Sequence, residues 1–244
     1  MESYVDVLNF PHPYTAVDCA VFGYDEKSKE LKVLLVKRDS DQTRSQGQWA
    51  LPGGFMNYAE DADAEDCIKR QLHKKTKIAS ENFHIEQFYT FTDRERDKDW
   101  IISIAHFALI KLSDFPVTPG TFTSDVQWFS LTKTPDLAFD HNLILNKAFE
   151  QLKRKLRYQP IGFELLPHKF TMPQLHNLYE IVLQEKLDRR NFRKKILSTE
   201  LLNDCNETKS GLPHKAPKLY EFNREKYKKL VDEGFYFELK PSKT

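Results

Sequence analysis

The stretch Trp49–Phe55, which reads Trp-Ala-Leu-Pro-Gly-Gly-Phe, places the strongest constraint on how this chain folds. It follows a polar loop at 39–48, and its Pro-Gly-Gly sequence is typical of a tight turn. The segment from about Ala62 to Thr76 has the pattern of a helix. We therefore expect a turn that leads into a helix, and the residues of that helix decide what the turn is used for.

The turn and the helix resemble a degenerate Nudix box, the signature of enzymes that hydrolyse nucleoside diphosphate derivatives. Arg70 stands at the arginine of the box, and Leu72 and Ile78 stand at two of its aliphatic positions. The residues at three of its metal-binding glutamates carry no carboxylate: Gln71, Lys74 and Lys75. The resemblance therefore implies a Nudix scaffold that lacks the usual metal site.

This loss of carboxylates bears on catalysis. Hydrolysis of a diphosphate needs divalent cations, and magnesium prefers carboxylate oxygens. Helical spacing places positions 71, 74 and 75 on one face, where two lysines would repel a divalent ion. We expect no catalytic residue, no metal and no cofactor. Two alternatives stay open: a hydrolase that draws metal ligands from Glu60, Glu65 or Asp66, and a lysine pair that is only a solvated helix face.

The order of the remaining elements in the first part of the chain predicts an α+β fold. Strands are expected at 17–22, 31–36, 83–92, 100–110 and 126–129, and a late amphipathic helix at 143–156. The first two strands have the spacing of a hairpin. This order predicts a sandwich with a mixed sheet, and it agrees with the α/β/α sandwich that the Nudix resemblance implies.

The second part of the chain has the order of a winged helix-turn-helix. Thr171 is a candidate N-cap with Gln174 as its capping-box partner, and Asp188 is a candidate cap of a second, basic helix. A hairpin is predicted from strands at 202–208 and 217–222 around a tip at 209–216. We therefore divide the chain into residues 1–157, a Nudix-like sensing domain, and residues 158–244, a winged helix-turn-helix domain.

The basic helix is a candidate DNA-recognition element. Arginine binds guanine or phosphate through its planar fork, and asparagine binds adenine. The candidate DNA-binding residues lie on this helix and on the hairpin: Arg189, Arg190, Asn191, Arg193, Lys194, Lys195, Lys215 and Lys218. From Ile161 onward there are 16 Lys/Arg and 12 Asp/Glu, a net charge of +4, against −3 for the residues before it. The alternative is a solvated basic helix on a small helical domain.

Both parts together resemble the Nudix-related transcriptional regulators of the NrtR type and their sugar-responsive relatives. The resemblance is carried by Phe163–Thr171, Asp188–Lys195, Ala138–His141 and Arg96–Asp97. It implies a homodimeric repressor or activator that binds palindromic double-stranded operators and senses ADP-ribose, a related NAD metabolite or a pentose. The wing departs from the family, because Leu212–Tyr220 lacks the family's arginines; the operator sequence is therefore expected to differ.

The candidate residues of the sensor site are arginines, which suit phosphate oxygens, and aspartates of the same loops. They are Arg38, Arg70, Arg96, Asp97 and Asp140. Arg70 has the alternative role of a structural salt bridge, and Asp140 that of a helix cap. Trp49 and Phe55 are candidates for stacking on adenine, or else complete the core.

Other features exclude several classes of protein. Three scattered cysteines argue against a disulfide framework and a zinc finger. Neither a signal peptide nor a membrane-spanning apolar run is evident, so we expect a cytoplasmic protein. A ligand-binding protein whose basic domain contacts RNA or another protein remains an alternative to the DNA-binding regulator.

Overall fold

The first part of the chain forms a seven-stranded mixed sheet. The computed structural model describes residues 12–39, 44–78, 84–113, 116–209, 216–235 and 237–239. The strands are β1 (Tyr14–Asp25), β2 (Glu30–Arg38), β3 (Trp49–Ala50), β4 (Gly53–Phe55), β5 (His84–Phe91), β6 (Ile101–Ile110) and β7 (Thr123–Ser130). The main path runs β3-β2-β1-β6-β5, with β4 added to β1 and β7 to β2. β1 and β6 are parallel and the other pairs antiparallel, which confirms the predicted mixed sheet.

Two helices cover the sheet: α1 (Ala64–Thr76) and α2 (His141–Tyr158). Successive side chains of a strand point to opposite faces, so β1 contributes to two cores. Val17 belongs to the core that contains Ile68 of α1. Phe22 belongs to the core that contains the buried residues of α2. Because both faces are covered, nearly all of β1 is buried, as is usual for the centre of a sandwich.

Helix α1 begins two residues later than the sequence pattern predicts. Asp63 is extended, and its carboxylate accepts a hydrogen bond of 2.9 Å from the backbone N–H of Asp66. This cap fixes the first helical residue at Ala64 rather than at Ala62. The helix ends at Lys77, which adopts a left-handed conformation with φ 60°.

The second part of the chain is a winged helix. Its elements are β8 (Phe170–Thr171), α3 (Met172–Leu183), α4 (Arg189–Ser198), β9 (Leu202–Thr208), β10 (Lys218–Phe222) and α5 (Arg224–Asp232). The hairpin of β9 and β10 gains β8 as a third strand, in the order β8-β10-β9. The predicted succession of helix, turn, basic helix and hairpin is therefore confirmed.

Both helices of the helix-turn-helix are capped as the sequence predicts. The Thr171 hydroxyl accepts from the backbone N–H of Gln174, and the Gln174 side chain accepts from that of Thr171 at 2.7 Å. Asp188 accepts a hydrogen bond of 2.7 Å from the backbone N–H of Asn191. Each cap satisfies backbone donors that have no partner within the helix.

The turn between α3 and α4 is held at one residue, Leu187. A carboxylate oxygen of Glu180 accepts the Leu187 N–H at 3.0 Å, and Nε2 of His176 lies 2.9 Å from the Leu187 carbonyl. The buried ring of His176 also packs edge-on against Phe192 of α4. Side chains of α3 therefore fix the path along which the chain enters α4.

The two parts of the chain share one core. The cluster that begins with Ala20 and Phe22 in β1 continues through α2 to Leu178 in α3 and Phe192 in α4. Polar contacts reinforce this packing, because Gln174 donates a hydrogen bond of 2.6 Å to Glu26 in the β1–β2 turn. The winged helix is thus packed directly on the sandwich.

We expect Glu180→Ala to lower the free energy of unfolding by about 1–2 kcal/mol, because the Leu187 N–H loses its partner inside a packed turn. Urea denaturation would measure the change. A matched control is Glu150→Ala, since among the described residues the exposed Glu150 pairs only with Lys153 in the same helix and should contribute no more than about 0.5 kcal/mol. An equal decrease in the free energy of unfolding in the two variants would contradict the role given to Glu180.

Candidate functional sites

A cavity of about 350 Å³ opens at one end of the sheet, where β1, β4 and β6 meet the start of α2. Four of the five sensor residues chosen from the sequence line it: Arg38, Arg96, Asp97 and Asp140. Its wall also contains charged or polar residues that the sequence does not predict as sensor residues: Asp18, Arg44, Lys75, Asp99 and His141. Its size falls in the usual range for small-molecule sites.

Arg96 and Asp140 form a fixed pair in this wall. Nε of Arg96 donates to one Asp140 oxygen at 2.8 Å and Nη2 donates to the other at 2.6 Å. Nη1 donates to the carbonyl of Ile101 at 3.1 Å. Asp140 occupies the N-cap position of α2 without a side-chain capping bond, so its carboxylate holds Arg96 instead of capping the helix. Such bidentate geometry leaves Arg96 little freedom to move.

Arg44 joins two loops at the cavity. Its Nη1 lies 2.8 Å from Asp97, and its Nη2 lies 3.0 Å from Asp99. The backbone carbonyl of Arg44 accepts a hydrogen bond of 3.1 Å from Nε of Arg38. Asp97 was chosen from sequence, but Arg44 lies 53 residues away from it, and no local pattern distinguishes Arg44 from other arginines.

A buried chain of polar groups lies beneath the cavity. The Ser103 hydroxyl donates to Asp18 at 2.5 Å, and Nδ1 of His141 accepts the Leu51 N–H at 2.9 Å. The proton of His141 therefore sits on Nε2, 3.4 Å from the other Asp18 oxygen. Burial lowers the pKa of His141, which favours the neutral ring.

Gly53 and Gly54 allow β4 to lie close to β1 and α1. A Cβ at Gly53 would lie 2.3 Å from the Val17 carbonyl oxygen and 2.4 Å from an Asp18 oxygen. A Cβ at Gly54 would lie 2.6 Å from the side-chain amide of Gln71. The Gly-Gly pair is therefore required for packing β4 against both β1 and α1.

The three positions that replace the glutamates of a Nudix box have different surroundings. Gln71 is buried against Gly54, and Lys74 lies near the ring of Phe122. Lys75 is half-buried and lines the cavity, so it is not part of a solvated face. Burial, and after it the nearby charge of Arg38, lower the pKa of Lys75 to about 8. Among the described residues, no three His, Cys, Asp or Glu side chains are grouped so as to hold a metal ion.

The structure places Arg70 outside the cavity and in a salt bridge. Its Nε lies 2.5 Å and its Nη2 2.6 Å from the two oxygens of Asp61, whose side chain is fully buried. Glu60 is exposed, and its carboxylate lies 3.4 Å from Nη1 of the same arginine. Arg70 does not line the cavity, and its geometry favours the structural alternative, because the guanidinium neutralises a buried carboxylate.

Aromatic side chains border part of the cavity. Phe55 is 54% exposed, lines the cavity and contacts Tyr14 edge to face. Trp49 instead packs on Phe129 and completes the core. Phe139 has a left-handed backbone with φ 56°, and the guanidinium of Arg38 lies 4.9 Å from its ring centre. Such a conformation is costly for a bulky residue and often marks a functional site.

Helix α4 presents the basic surface that the sequence predicts. Phe192 and Ile196 are buried against the domain. Most of the predicted DNA-binding residues on it are exposed: Arg189, Arg190, Asn191, Arg193 and Lys194. Lys195 differs, because it is half-buried and its ammonium lies 5.6 Å from the ring centre of Phe237. The basic face of α4 is thus narrower than expected.

The strands of the wing carry acidic partners for their lysines. Lys218, a predicted phosphate contact, lies 2.5 Å from Asp204. Glu207, on the same hairpin, lies 2.7 Å from Lys169, which directly precedes β8. Lys215, the other predicted wing contact, lies outside the described residues. The described wing therefore offers less uncompensated positive charge than its lysines alone indicate.

Protein-family models match both parts of the chain. The NUDIX domain covers residues 13–152, and the NrtR DNA-binding winged helix domain covers residues 162–222. The chain belongs to the NrtR family of transcriptional regulators. It is therefore a DNA-binding regulator that joins a Nudix ligand-binding domain to a winged helix. Within the described ranges, none of the helices combines the length and the apolarity needed to span a bilayer.

This member of the family is similar to characterised proteins along most of its length. It is 32% identical to the ADPR responsive transcriptional repressor NtrR of Acinetobacter baylyi, over 90% of this chain and 86% of that protein. Shewanella oneidensis NrtR complexed with a 27mer DNA superposes with a TM-score of 0.77 at 27% identity, over 94% of this chain and 99% of that one. The NUDIX domain of the same protein complexed with ADP ribose superposes with a TM-score of 0.54 at 32% identity, over 61% of this chain and 94% of that one.

We expect Arg70→Gln to lower the free energy of unfolding by about 3 kcal/mol at pH 7, because Asp61 would remain charged, buried and unpaired. The hydrogen bonds from Arg70 hold the pKa of Asp61 well below its usual range. The stability that the pair adds is thus present above about pH 4, the unfolded pKa, and is lost as pH falls through the folded pKa. Denaturant unfolding should show the gap between the two proteins narrowing as pH falls below about 4.

The neighbouring Lys69→Gln provides the control for this experiment. Lys69 forms an exposed ion pair of 2.5 Å with Glu65 one turn away, which contributes at most about 0.5 kcal/mol. If Arg70→Gln proved as stable as Lys69→Gln, Arg70 would have no structural role.

Proposed function

We propose that the protein is a transcriptional repressor that binds ADP-ribose in its Nudix domain and releases operator DNA when it does so. The similarity to a repressor described as ADPR responsive, and to a NUDIX domain complexed with ADP ribose, supports this effector. The winged helix supplies the DNA-binding surface. The two activities are carried by the two domains expected from the sequence, residues 1–157 and residues 158–244.

The observation that carries the choice of effector is the mixture of groups around the cavity. Arg38 and Lys75 supply positive charge for a diphosphate. The carboxylates of Asp97 and Asp99 can accept hydrogen bonds from ribose hydroxyls. Phe55 offers an exposed ring on which adenine can stack. A neutral pentose would leave the cations without a partner, so the cavity favours a nucleoside diphosphate over a simple sugar.

Within this proposal, the effector site consists of Arg38, Arg96, Asp97 and Asp140, together with Lys75. Arg96 and Asp140 form the rigid part of the wall, because each holds the other. Arg38 and Lys75 make the direct phosphate contacts. Arg70 is left out of the site.

The DNA-binding surface is the exposed face of α4, assisted by the wing. The proposed contacts are Arg189, Arg190, Asn191, Arg193, Lys194, Lys195, Lys215 and Lys218. Those at the start of α4 are exposed and lie where a recognition helix presents its side chains to base edges. Lys195 and Lys218 contribute less, because Phe237 and Asp204 respectively lie against their ammonium groups.

A homodimer would place two copies of α4 on one DNA duplex. Two-fold symmetry in the protein matches a palindromic operator, with half-sites about one helical turn or a multiple of it apart. A DNA-binding regulator must be in the same compartment as its operator. In bacteria, such as those of the similar proteins, this compartment is the cytoplasm, where we therefore place the protein.

The test is a fluorescence-anisotropy titration of the protein with the promoter upstream of its own gene cluster. Specific binding that is weakened by ADP-ribose, and unaffected by L-arabinose, is the expected result. Because coupling between two sites is reciprocal, operator DNA should weaken ADP-ribose binding by the same factor. Unchanged operator affinity at saturating ADP-ribose would overturn the proposal, and magnesium-dependent release of AMP from ADP-ribose would favour the hydrolase alternative.

We expect Arg190→Ala to weaken operator binding and, if the arginine contacts phosphate, to reduce the slope of log affinity against log salt by about 1. The affinity for ADP-ribose in the absence of DNA should not change. Arg154→Ala is the control, because Arg154 is exposed and lies on α2, not on the winged helix. An equal loss of DNA affinity in both variants would show that the effect is only one of overall charge.

A further inference from the structure

Two cations face the effector cavity and have no ion-pair partner in the part of the chain that the structure describes. Lys75 of α1 and Arg38 at the end of β2 both line it and are both half-buried. The structure shows neither of them in an ion pair with a described residue within 4 Å. Arg38 donates to the Arg44 carbonyl and stacks on Phe139, and neither of these contacts brings a carboxylate to it.

The carboxylates of the cavity already have cationic or polar partners, although they keep the capacity to accept further hydrogen bonds. Asp140 binds Arg96, and Asp97 and Asp99 bind Arg44. Asp18 accepts from the Ser103 hydroxyl and faces the His141 ring. The cavity therefore has as many carboxylates as cations on its wall, but their pairing leaves the positive charge concentrated at Lys75 and Arg38.

Holding two like charges in a partly desolvated site costs free energy: desolvation affects both groups, and the charge of Arg38 also acts on Lys75. Burial lowers the pKa of Lys75 and that of Arg38. An anion between them would relieve both the desolvation and the mutual repulsion. Strained electrostatics of this kind are typical of a ligand site rather than of a structural ion pair.

We propose that Lys75 and Arg38 bind the diphosphate of the effector directly, so that recognition of the effector requires no divalent cation. The inference rests on the proposed function, because that function supplies the diphosphate. Lys75 stands at a position where the Nudix box has a glutamate, so a fixed ammonium takes the place of a carboxylate that would hold a metal. The ammonium of Lys75 on α1 then supplies the positive charge that a metal would otherwise bring to the phosphates.

Direct binding makes recognition of the effector sensitive to pH. Lys75 is faced by Arg38 from β2, Asp18 from β1, Lys74 from α1 and His141 from α2. Its pKa is about 8 in the unliganded protein, and a bound dianion raises it. Affinity is therefore greatest below pH 8 and falls as pH rises from the unliganded pKa to the liganded one. Between these two pKa values, binding takes up protons.

Isothermal titration calorimetry of the full-length protein tests the proposal. ADP-ribose is titrated at pH 7 in EDTA and in millimolar magnesium, and equal affinities within about two-fold are expected. Binding that occurs only with magnesium would overturn the inference and leave the proposed effector intact. If ADP-ribose failed to bind in either buffer while inorganic pyrophosphate bound in EDTA, the effector would be rejected and the anion site kept. Failure of both ligands would reject both.

Three variants separate the charge of Lys75 from its packing. Lys75→Gln should weaken ADP-ribose binding about tenfold or more in EDTA and abolish the proton uptake at pH 8. Lys75→Arg should keep metal-free binding and remove its dependence on pH between 7 and 9, because arginine stays charged. The neighbouring Lys74→Gln is the control and should change affinity by less than about two-fold.

Thermal unfolding of each variant shows whether a loss of affinity results merely from a loss of folding. Lys75→Gln removes a desolvated charge, so it is expected to unfold at or above the temperature of the original protein. Wild-type affinity in Lys75→Gln, or an equal loss in Lys74→Gln, would overturn the assignment. Proton uptake at pH 8 that persists in Lys75→Gln would place the titrating group elsewhere.

Discussion

The parallel pairing of β1 with β6 is the constraint on which the rest of the molecule depends. Ten consecutive residues of each strand are in register, from Tyr14 beside Ile101 to Gly23 beside Ile110. Parallel strands need a long connection between them, and that connection carries the Gly-Gly turn, α1 and the loop of Arg96. The pairing also brings Asp18 within reach of Ser103. Both the cavity and its buried polar floor follow from this one register.

The sequence predicts what depends on neighbouring residues and misses what depends on distant ones. The caps at Thr171 and Asp188 act over three residues, and both were predicted. The order of strands and the winged helix were also predicted, from periodicity and from the family resemblance. His141 and Arg44 were missed as sensor residues, because their partners Leu51 and Asp97 lie 90 and 53 residues away.

Arg70 and Lys75 show most clearly that the sequence does not reveal contacts with distant residues. Both were singled out from the same helix pattern, but the pattern does not reveal what lies opposite each one. Asp61 faces Arg70 and makes it structural, whereas the cavity faces Lys75. Helical spacing groups residues by face, and only the tertiary packing decides which face carries the ligand.

Under the proposed function, the continuous core between the domains is the physical route from the effector cavity to the winged helix. Gln174 both completes the cap of α3 and donates to Glu26 in the β1–β2 turn. At the opposite end of that hairpin, β2 terminates at Arg38 in the cavity. A displacement of β2 would therefore reach the start of the helix-turn-helix through packed and hydrogen-bonded groups.

The acidic partners within the wing have a consequence for how such a regulator diversifies. In the described wing, Asp204, Glu207 and Glu221 outnumber Lys209 and Lys218. The proposed base contacts are then concentrated in one short helix whose inward face is fixed by Phe192 and Ile196. Most of its outward residues can change without disturbing the core, whereas Arg193 also donates to the buried Tyr220. Under the proposed function, a few substitutions there would connect the same metabolic signal to a different set of genes.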